Sequence, residues 1–316
     1  MTGGTGFFGR ALLRHWIVRK KLTPFSEEVA ILTRNTQGFL DSYPEFTNLP
    51  WLKFFEGDIL DYSTLPENIE IDRIIHAATE STNGALLTPY KTYRDITVGT
   101  QNILDFAVHN NVRRFLLTSS GAVYGPQPDG LDKIPEDYLG GADPLISSSA
   151  YGLGKRAAEH LCCLYRDEYN LQTVIARCFA FVGPDLPLTA HYAIGNFIND
   201  AIYGAKINVG GDGTPLRSYM NQSDLARWLL CVLDDGVDGR AYNVGSDKAI
   251  AIADLAFLVR DILSPNKPVV FNNTGSTFQG RNVYIPDISA AKNDLDLHVT
   301  TSLRESIEEF IGLQFL

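Results

Sequence analysis

Along the first half of the chain, short runs of apolar and β-branched residues alternate with longer stretches in which apolar side chains recur at helical spacing. EEVAILTR around Ile31, DRIIHAA around Ile75, RRFLLTSS around Leu116 and LQTVIARCFAF around Ile175 read as strands. TVGTQNILDFAVHNN (97–111) and AYGLGKRAAEHLCCLYRDEY (150–169) read as helices, as does a stretch beginning near Phe8. Strands separated by helices of about ten or more residues pair in parallel through right-handed crossovers, which puts helices on both faces of one sheet. The pattern therefore predicts an α/β, doubly wound, Rossmann-like domain over residues 1–180. After about Gly183 it breaks into Pro- and Gly-rich turns (GPDLPL, GGDGTPL), separate helices near Ala193 to Tyr203 and Asp224 to Leu233, and a short apolar piece, YNVGS. Residues 181–316 are expected to form a smaller region capping the sheet's carboxyl edge, with some segments returning to the first domain.

The start of the chain departs from this plan. A buried strand should precede the first Gly-rich turn, yet the turn begins at Thr2 with only Met1 before it. The first strand is thus expected to be missing or truncated, through a start codon placed too late, a trimmed chain, or a domain that lacks the strand. The first of these is favoured, because unpaired buried backbone groups on the two neighbouring strands would each cost about 1–3 kcal/mol.

Composition narrows the function classes. Of 316 residues 45% are hydrophobic and 20% charged, enough apolar material for a sizeable core. The net charge of −10 repels phosphate backbones and argues against nucleic acid as a partner. No apolar stretch approaches the ~20 residues needed to cross a bilayer, and MTGGTGFFGR lacks the form of a secretory signal. The cysteines show no CxxC or HxxxH spacing, so no metal site is expected, and a reducing cytoplasm fits them.

Gly3, Gly6 and Gly9 in TGGTGFFG allow a backbone turn to approach a pyrophosphate at the start of the helix near Phe8. One βα unit later the strand ends at Leu32, where a dinucleotide fold reads the adenosine ribose. The residues there are Thr33, Arg34 and Asn35. An acid would suit the 2′-hydroxyl of NAD, whereas Arg34 suits the 2′-phosphate of NADP. Asp58 in EGDILD stands where it can meet the adenine or cap a helix. In SAYGLGK, Tyr151 and Lys155 lie one helical turn apart on one face, so the ammonium favours the phenolate and makes Tyr151 a candidate acid or base. RRFLLTSSGAVYG ends its strand in Ser119 and Ser120, either of which can hydrogen-bond a substrate oxygen.

With these pieces in place, the sequence resembles the extended short-chain dehydrogenase/reductase family, in particular its NAD-dependent nucleotide-sugar epimerase/dehydratase group. TGGTGFFG, GDILD, HAAT (76–79), TSSGAVYG, YGLGK, GDGTPLRSYM and YNVGS carry the resemblance, in order, over nearly the whole chain. It implies an NAD or NADP cofactor, a nucleotide-diphosphate sugar as substrate, a substrate-binding role for 181–316, and a homodimer built on helices 97–110 and 151–169. It implies catalytic roles for Ser120, Tyr151 and Lys155, and cofactor contacts from Gly3, Gly6, Phe7, Phe8, Gly9, Arg34, Asp58, Ile59, Ala77, Ala78, Lys155 and Phe179. Substrate contacts are implied for Ser120 and Arg217, with Arg281 a second diphosphate candidate.

The departures from the family pattern narrow the chemistry. Members that dehydrate carry Asp-Glu right after the catalytic hydroxyl, and those that decarboxylate a uronic acid carry Glu two residues after it; here these places hold Gly121 and Ala122. Ala180 and Thr97 stand where the family usually has Asn. The expectation is hydride transfer at C4, first as a reductase of a nucleotide-linked 4-keto-6-deoxyhexose. A 4-epimerase is the alternative, followed by a 4,6-dehydratase and a non-catalytic dinucleotide sensor. His76 is expected to be a hydrogen-bonded loop residue, Trp16 and Trp228 packing residues, Asp224 a helix N-cap with Ser223 as competitor, and Glu159 and Arg166 a solvated helix face or dimer contact.

Overall fold

A computed structural model of the chain describes residues 1–22, 27–67, 69–79, 87–190, 192–272 and 282–311. In chain order the first elements are α1 (Phe7–Leu22), β1 (Val29–Thr33), α2 (Thr36–Ser42), β2 (Leu52–Glu56), β3 (Arg73–His76), α3 (Pro89–His109), β4 (Arg114–Ser120), α4 (Ala150–Tyr169) and β5 (Gln172–Cys178). There follow β6 (Phe181–Val182), α5 (Ala193–Tyr203), β7 (Ile207–Gly210), β8 (Leu216–Arg217), β9 (Met220–Asn221), α6 (Gln222–Asp235), β10 (Ala241–Val244), β11 (Ile250–Ala251), α7 (Ile252–Leu263), β12 (Val269–Asn272), β13 (Val283–Tyr284), α8 (Ser289–Leu295) and α9 (Leu303–Glu308). Two compact units result, one of Met1–Gly125, Gly141–Cys178 and Ala226–Tyr242, the other of Pro126–Gly140, Phe179–Leu225 and Asn243–Leu316. Among the described residues no helix is long and apolar enough to cross a membrane.

The first unit is the doubly wound one. β3, β4 and β5 pair in parallel with β10 beyond β5, and β1 pairs in parallel with β2. Every residue of β4 is buried, as a strand covered on both faces requires. α3 and α4 cover one face, packing Ile103, Leu104, Ala158 and Cys162 against Phe115, Leu117 and Ile175. α4 stops where Asn170 adopts φ 57°, a left-handed cap. α3 begins eight residues before the apolar periodicity does: Thr88 accepts a hydrogen bond from the Lys91 N–H and Pro89 starts the helix.

At the place of the expected first strand, Thr2 forms a single rung between its neighbours. The Thr2 N–H donates to the Ile75 carbonyl (3.0 Å), and its own carbonyl accepts from Ala77 N (3.3 Å). On the other side Leu32 N donates to the Met1 carbonyl (3.0 Å) and the Met1 amine to the Ala30 carbonyl (2.5 Å). Thr2 thereby bridges β1 and β3 in parallel, and the order β2-β1-Thr2-β3-β4-β5-β10 is that of a dinucleotide-binding sheet. Beside the rung lies an apolar cavity of about 40 Å³ lined by Leu32, Ile74, Ile103 and Phe106 among others.

The second unit contains a three-stranded sheet, β11-β8-β13, and the parallel pairs β7–β12 and β6–β9. Asp224 does not cap α6. It is buried, and its carboxylate accepts from Thr300 N, Thr301 N and the Thr300 hydroxyl. The capping oxygen belongs to Asn221, whose Oδ1 accepts from Ser223 N (2.7 Å). Trp16 and Trp228 are packing residues, both buried.

Candidate active site

The glycine turn closes through a hydrogen bond from Gly6 N to the Gly3 carbonyl (3.1 Å), and Arg10 N then bonds Gly6 O as α1 starts. Gly3 has φ +69°, and a Cβ there would meet the Ala77 carbonyl at 2.5 Å, so the turn lies directly on the Ala77-Ala78 segment. Ala78 N donates to the Thr2 hydroxyl (3.2 Å), tying that segment down. Gly6 differs: it is exposed, and its Cβ position meets only the Gly3 carbonyl, at 3.4 Å. Among the described residues nothing demands a glycine there, and its bare backbone leaves room for a ligand to approach closely. Phe7, Phe8 and Gly9 form the first turn of α1, which contains no acidic side chain, so the anion-attracting end of the helix is not neutralised. These residues fit a dinucleotide pyrophosphate.

At the ribose-reading end, Arg34 is exposed just beyond β1 and Asn35 caps α2 through Gly38 N (2.8 Å). The last residue of β2, Glu56, pairs in register with Thr33 and accepts from Thr36 N (3.1 Å). A carboxylate thus stands at this end after all, contributed by the neighbouring strand. Asp58 stabilises a turn by accepting from Leu60 N (3.0 Å) and caps no helix. Ile59 packs towards Gly99 of α3.

Ser120 ends β4, buried, and its oxygen accepts from Ala122 N (3.1 Å) in a single 3-10 turn, Gly121–Tyr124, leaving the hydroxyl proton to donate. That turn packs against the start of α4, where a Cβ on Gly152 would sit 2.6 Å from the Ala122 carbonyl. Gly152 is therefore what lets the Ser120 turn come close to the turn of helix bearing Tyr151. Lys155, one turn further on, is 3% exposed and donates to the Thr79 hydroxyl oxygen (2.8 Å) and the Thr118 carbonyl (2.8 Å). Burial lowers its ammonium to about 8, with Cys178, Glu159 and Cys162 acting in the opposite direction.

His76 closes β3 and is a strand residue, buried, with Nδ1 2.8 Å from the Thr2 hydroxyl and Nε2 3.2 Å from that of Thr100. Burial, then the positive Lys155 and Met1 amine, bring it down to about 3. Glu159 is not on a solvated face. It is buried, pairs through both oxygens with Arg177 of β5, and accepts from the Ser119 hydroxyl (2.5 Å). Arg177 also donates to the Tyr124 hydroxyl (2.9 Å), so one network clamps β4, the Ser120 turn, α4 and β5. Arg166 pairs with its exposed neighbour Asp167. The cysteines are free; Cys162 and Cys178 are buried, which raises both thiols, Cys178 to about 12.

The first unit therefore gathers the glycine turn, Ala77, Ala78, Ser120, Tyr151 and Lys155. Phe179 and Arg217 belong to the second unit, where Phe179 stacks on Tyr284 (centroids 4.6 Å apart) and Arg217 lies on the middle strand β8. Arg281 lies outside the described residues. The sequence reading gave no role to Thr79, Glu56 or the Glu159–Arg177 pair. Glu159 was detectable as an acid one turn beyond Lys155 on a face otherwise made of Ala158 and Cys162, with Arg177 as the matching charge inside an apolar strand.

Curated relatives include UDP-glucuronic acid decarboxylases 1 and 3 of Arabidopsis thaliana. They are 30% identical over 314 and 309 residues, 99% and 97% of this chain and 68% and 86% of theirs. A UDP-glucose 4-epimerase from Thermotoga maritima with UDP-glucose superposes with a TM-score of 0.82 at 20% identity, over 98% of this chain and 96% of that one. A double mutant of a dTDP-glucose 4,6-dehydratase from Streptomyces venezuelae, with NAD bound, gives 0.81 at 25% identity, over 98% and 94%. The family model described as the NAD dependent epimerase/dehydratase family matches residues 1–245. The chain belongs to the NAD-dependent epimerase/dehydratase family.

Proposed function

We propose that the protein is a nicotinamide-dinucleotide-dependent oxidoreductase that reduces the C4 ketone of a nucleotide-linked 4-keto-6-deoxyhexose. The observation that carries this reading is the turn after Ser120: it packs on the first turn of α4, the helix that bears Tyr151 and Lys155, and its Gly121 and Ala122 offer no second acid or base. Such a set supports proton transfer at one carbon and leaves dehydration and decarboxylation without their extra group. The relatives named as UDP-glucuronic acid decarboxylases, and the neighbours holding UDP-glucose or NAD, support the nucleotide-sugar and dinucleotide parts of the reading.

In this reading the Gly3–Gly9 turn and Phe7, Phe8, Ala77 and Ala78 hold the dinucleotide, with Arg34 at a 2′-phosphate, Asp58 and Ile59 towards the adenine and Phe179 at the nicotinamide. The bound dinucleotide supplies the hydride. The Ser120 hydroxyl donates to the C4 oxygen, Tyr151 gives its proton to the same oxygen as negative charge develops there, and Lys155 holds the nicotinamide ribose and favours the phenolate left behind. Arg217 grips the substrate diphosphate, with Arg281 as a second cation.

One observation favours a second reading, a 4-epimerase that keeps NAD through its cycle. Glu56 puts a carboxylate at the end of β2, in register with Thr33, and such a group suits a 2′-hydroxyl and repels a 2′-phosphate. The two separate by incubating the purified protein with NADPH and a panel of nucleotide-linked 4-keto-6-deoxyhexoses. The reductase consumes one NADPH per product and gives a sugar heavier by two hydrogens. Tightly retained NAD, with interconversion of 4-hydroxy epimers and no net NADPH loss, would establish the epimerase instead.

A further inference from the structure

We propose that Thr79 is a positioning residue for Lys155: with the Thr118 carbonyl, its hydroxyl oxygen fixes the ammonium on two of its three donors and reserves the third for the dinucleotide ribose. The inference rests on the dinucleotide part of the reading above. The direction of the contact follows from where the protons are. Thr79 Oγ1 lies 2.9 Å from the Ala78 carbonyl, which can only accept, so the hydroxyl proton goes there. The Lys155 Nζ, 2.8 Å away on the other side, can only donate, so the same oxygen must accept from it.

The second acceptor, Thr118 O, is backbone of the fully buried strand β4, and the Thr118 hydroxyl is tied to the His76 carbonyl (3.1 Å). Lys155 is therefore held between the segment after β3 and the end of β4, and each contact removes a direction in which its four-carbon stem could swing. An ammonium 3% exposed has little water to replace a lost acceptor. Among the described residues the titratable groups facing it are Glu159 and Cys162 from its own helix, Cys178 from β5 and His76 from β3, with Tyr151 one turn earlier on α4. None of them is hydrogen-bonded to Nζ as Thr79 is. Among the described residues Thr79 supplies the one side-chain acceptor and so sets both where the charge sits and how readily it is kept.

The test compares the full-length protein with Thr79→Val, close in shape but unable to accept, and Thr79→Ser, which restores the oxygen. In the ligand-free protein the Lys155 side-chain carbon next to Nζ is followed by NMR against pH, with the resonance assigned through Lys155→Arg. In parallel, NAD and NADPH affinities are measured by calorimetry at neutral and alkaline pH. Thr79→Val is expected to lower the Lys155 titration midpoint by about one pH unit, to weaken dinucleotide binding about tenfold at neutral pH, and to leave the thermal midpoint close to wild type; Thr79→Ser is expected to restore both readouts. An unchanged Lys155 midpoint in Thr79→Val, or a Ser variant that behaves like the Val one, overturns the proposal. If the wild type binds no dinucleotide, the functional reading fails, while the ligand-free titration still decides whether Thr79 holds Lys155.

Discussion

Acidification should destabilise this protein through His76 by an amount that follows from its surroundings. The imidazole is buried beneath the glycine turn between the Thr2 and Thr100 hydroxyls, and its folded-state value of about 3 lies below the ordinary 6.5. Between those values the unfolded chain binds a proton that the folded chain refuses, so stability falls as the pH falls through the window and is unaffected by His76 above it. Each pH unit well inside the window is worth about 1.4 kcal/mol, and the unfolded imidazole is already half protonated at pH 6.5, so going from pH 6.5 to 4.5 removes about 2 kcal/mol. The control is His76→Asn, which keeps polar contacts but does not titrate. Urea unfolding of both proteins at several pH values isolates the effect, since carboxylates and the nearby Lys155 and Met1 charges behave alike in both. Wild-type stability minus variant stability should fall by about 2 kcal/mol on going from pH 6.5 to 4.5. A difference constant to within about 0.5 kcal/mol would refute the burial argument and mean that the imidazole charges in the folded state.

Tyr151→Phe is expected to lower kcat by about 10²–10⁴ while dinucleotide affinity, read by calorimetry, stays within a few-fold. Glu159→Gln leaves Arg177 facing a neutral amide in a buried place, and should cost about 3–5 kcal/mol in chemical denaturation. Gly6→Ala should keep the thermal midpoint or raise it slightly, because its Cβ has room and the unfolded chain loses freedom, yet weaken dinucleotide binding; unchanged affinity would remove Gly6 from the cradle. If α3 and α4 pair with those of a second copy, light scattering at micromolar concentration gives twice the chain mass, and a monomer mass would rule this out.

The parts of the fold legible in the sequence are those encoded by local pattern. RFLLTSS reads as a strand because Phe115, Leu116 and Leu117 form an apolar run without alternation, and AYGLGKRAAEHLCCLYRDEY coincides with α4 from end to end. α3 was legible only from Thr97, where apolar periodicity sets in, although Thr88-Pro89 is itself a start signal for the polar first turns. What stayed hidden depends on pairs far apart in the chain. Asp224 looks like a cap until Thr300 and Thr301 arrive to occupy its carboxylate, and Glu159 looks like surface until β5 brings Arg177. Glu56 is hidden for the same reason, since only the pairing of β2 with β1 brings it beside Thr33. Ser120, Tyr151 and Lys155 were legible because a residue-type pattern on a single helix and a single strand end contains them. Thr79 was not, since its role exists only once β3 lies beside β4.

The two buried cysteines have a practical consequence. Cys162 lies on the inward face of α4 and Cys178 at the end of β5, both close to the Lys155 charge, and in the native protein neither has appreciable thiolate character. A water-soluble alkylating reagent therefore meets them only after α4 has lifted from the sheet or the unit has opened. Pulsed labelling followed by peptide mass mapping would turn these two native sulfurs into clocks for the parting of α4 from β5, with the more accessible Cys163 next door recording the reagent's arrival.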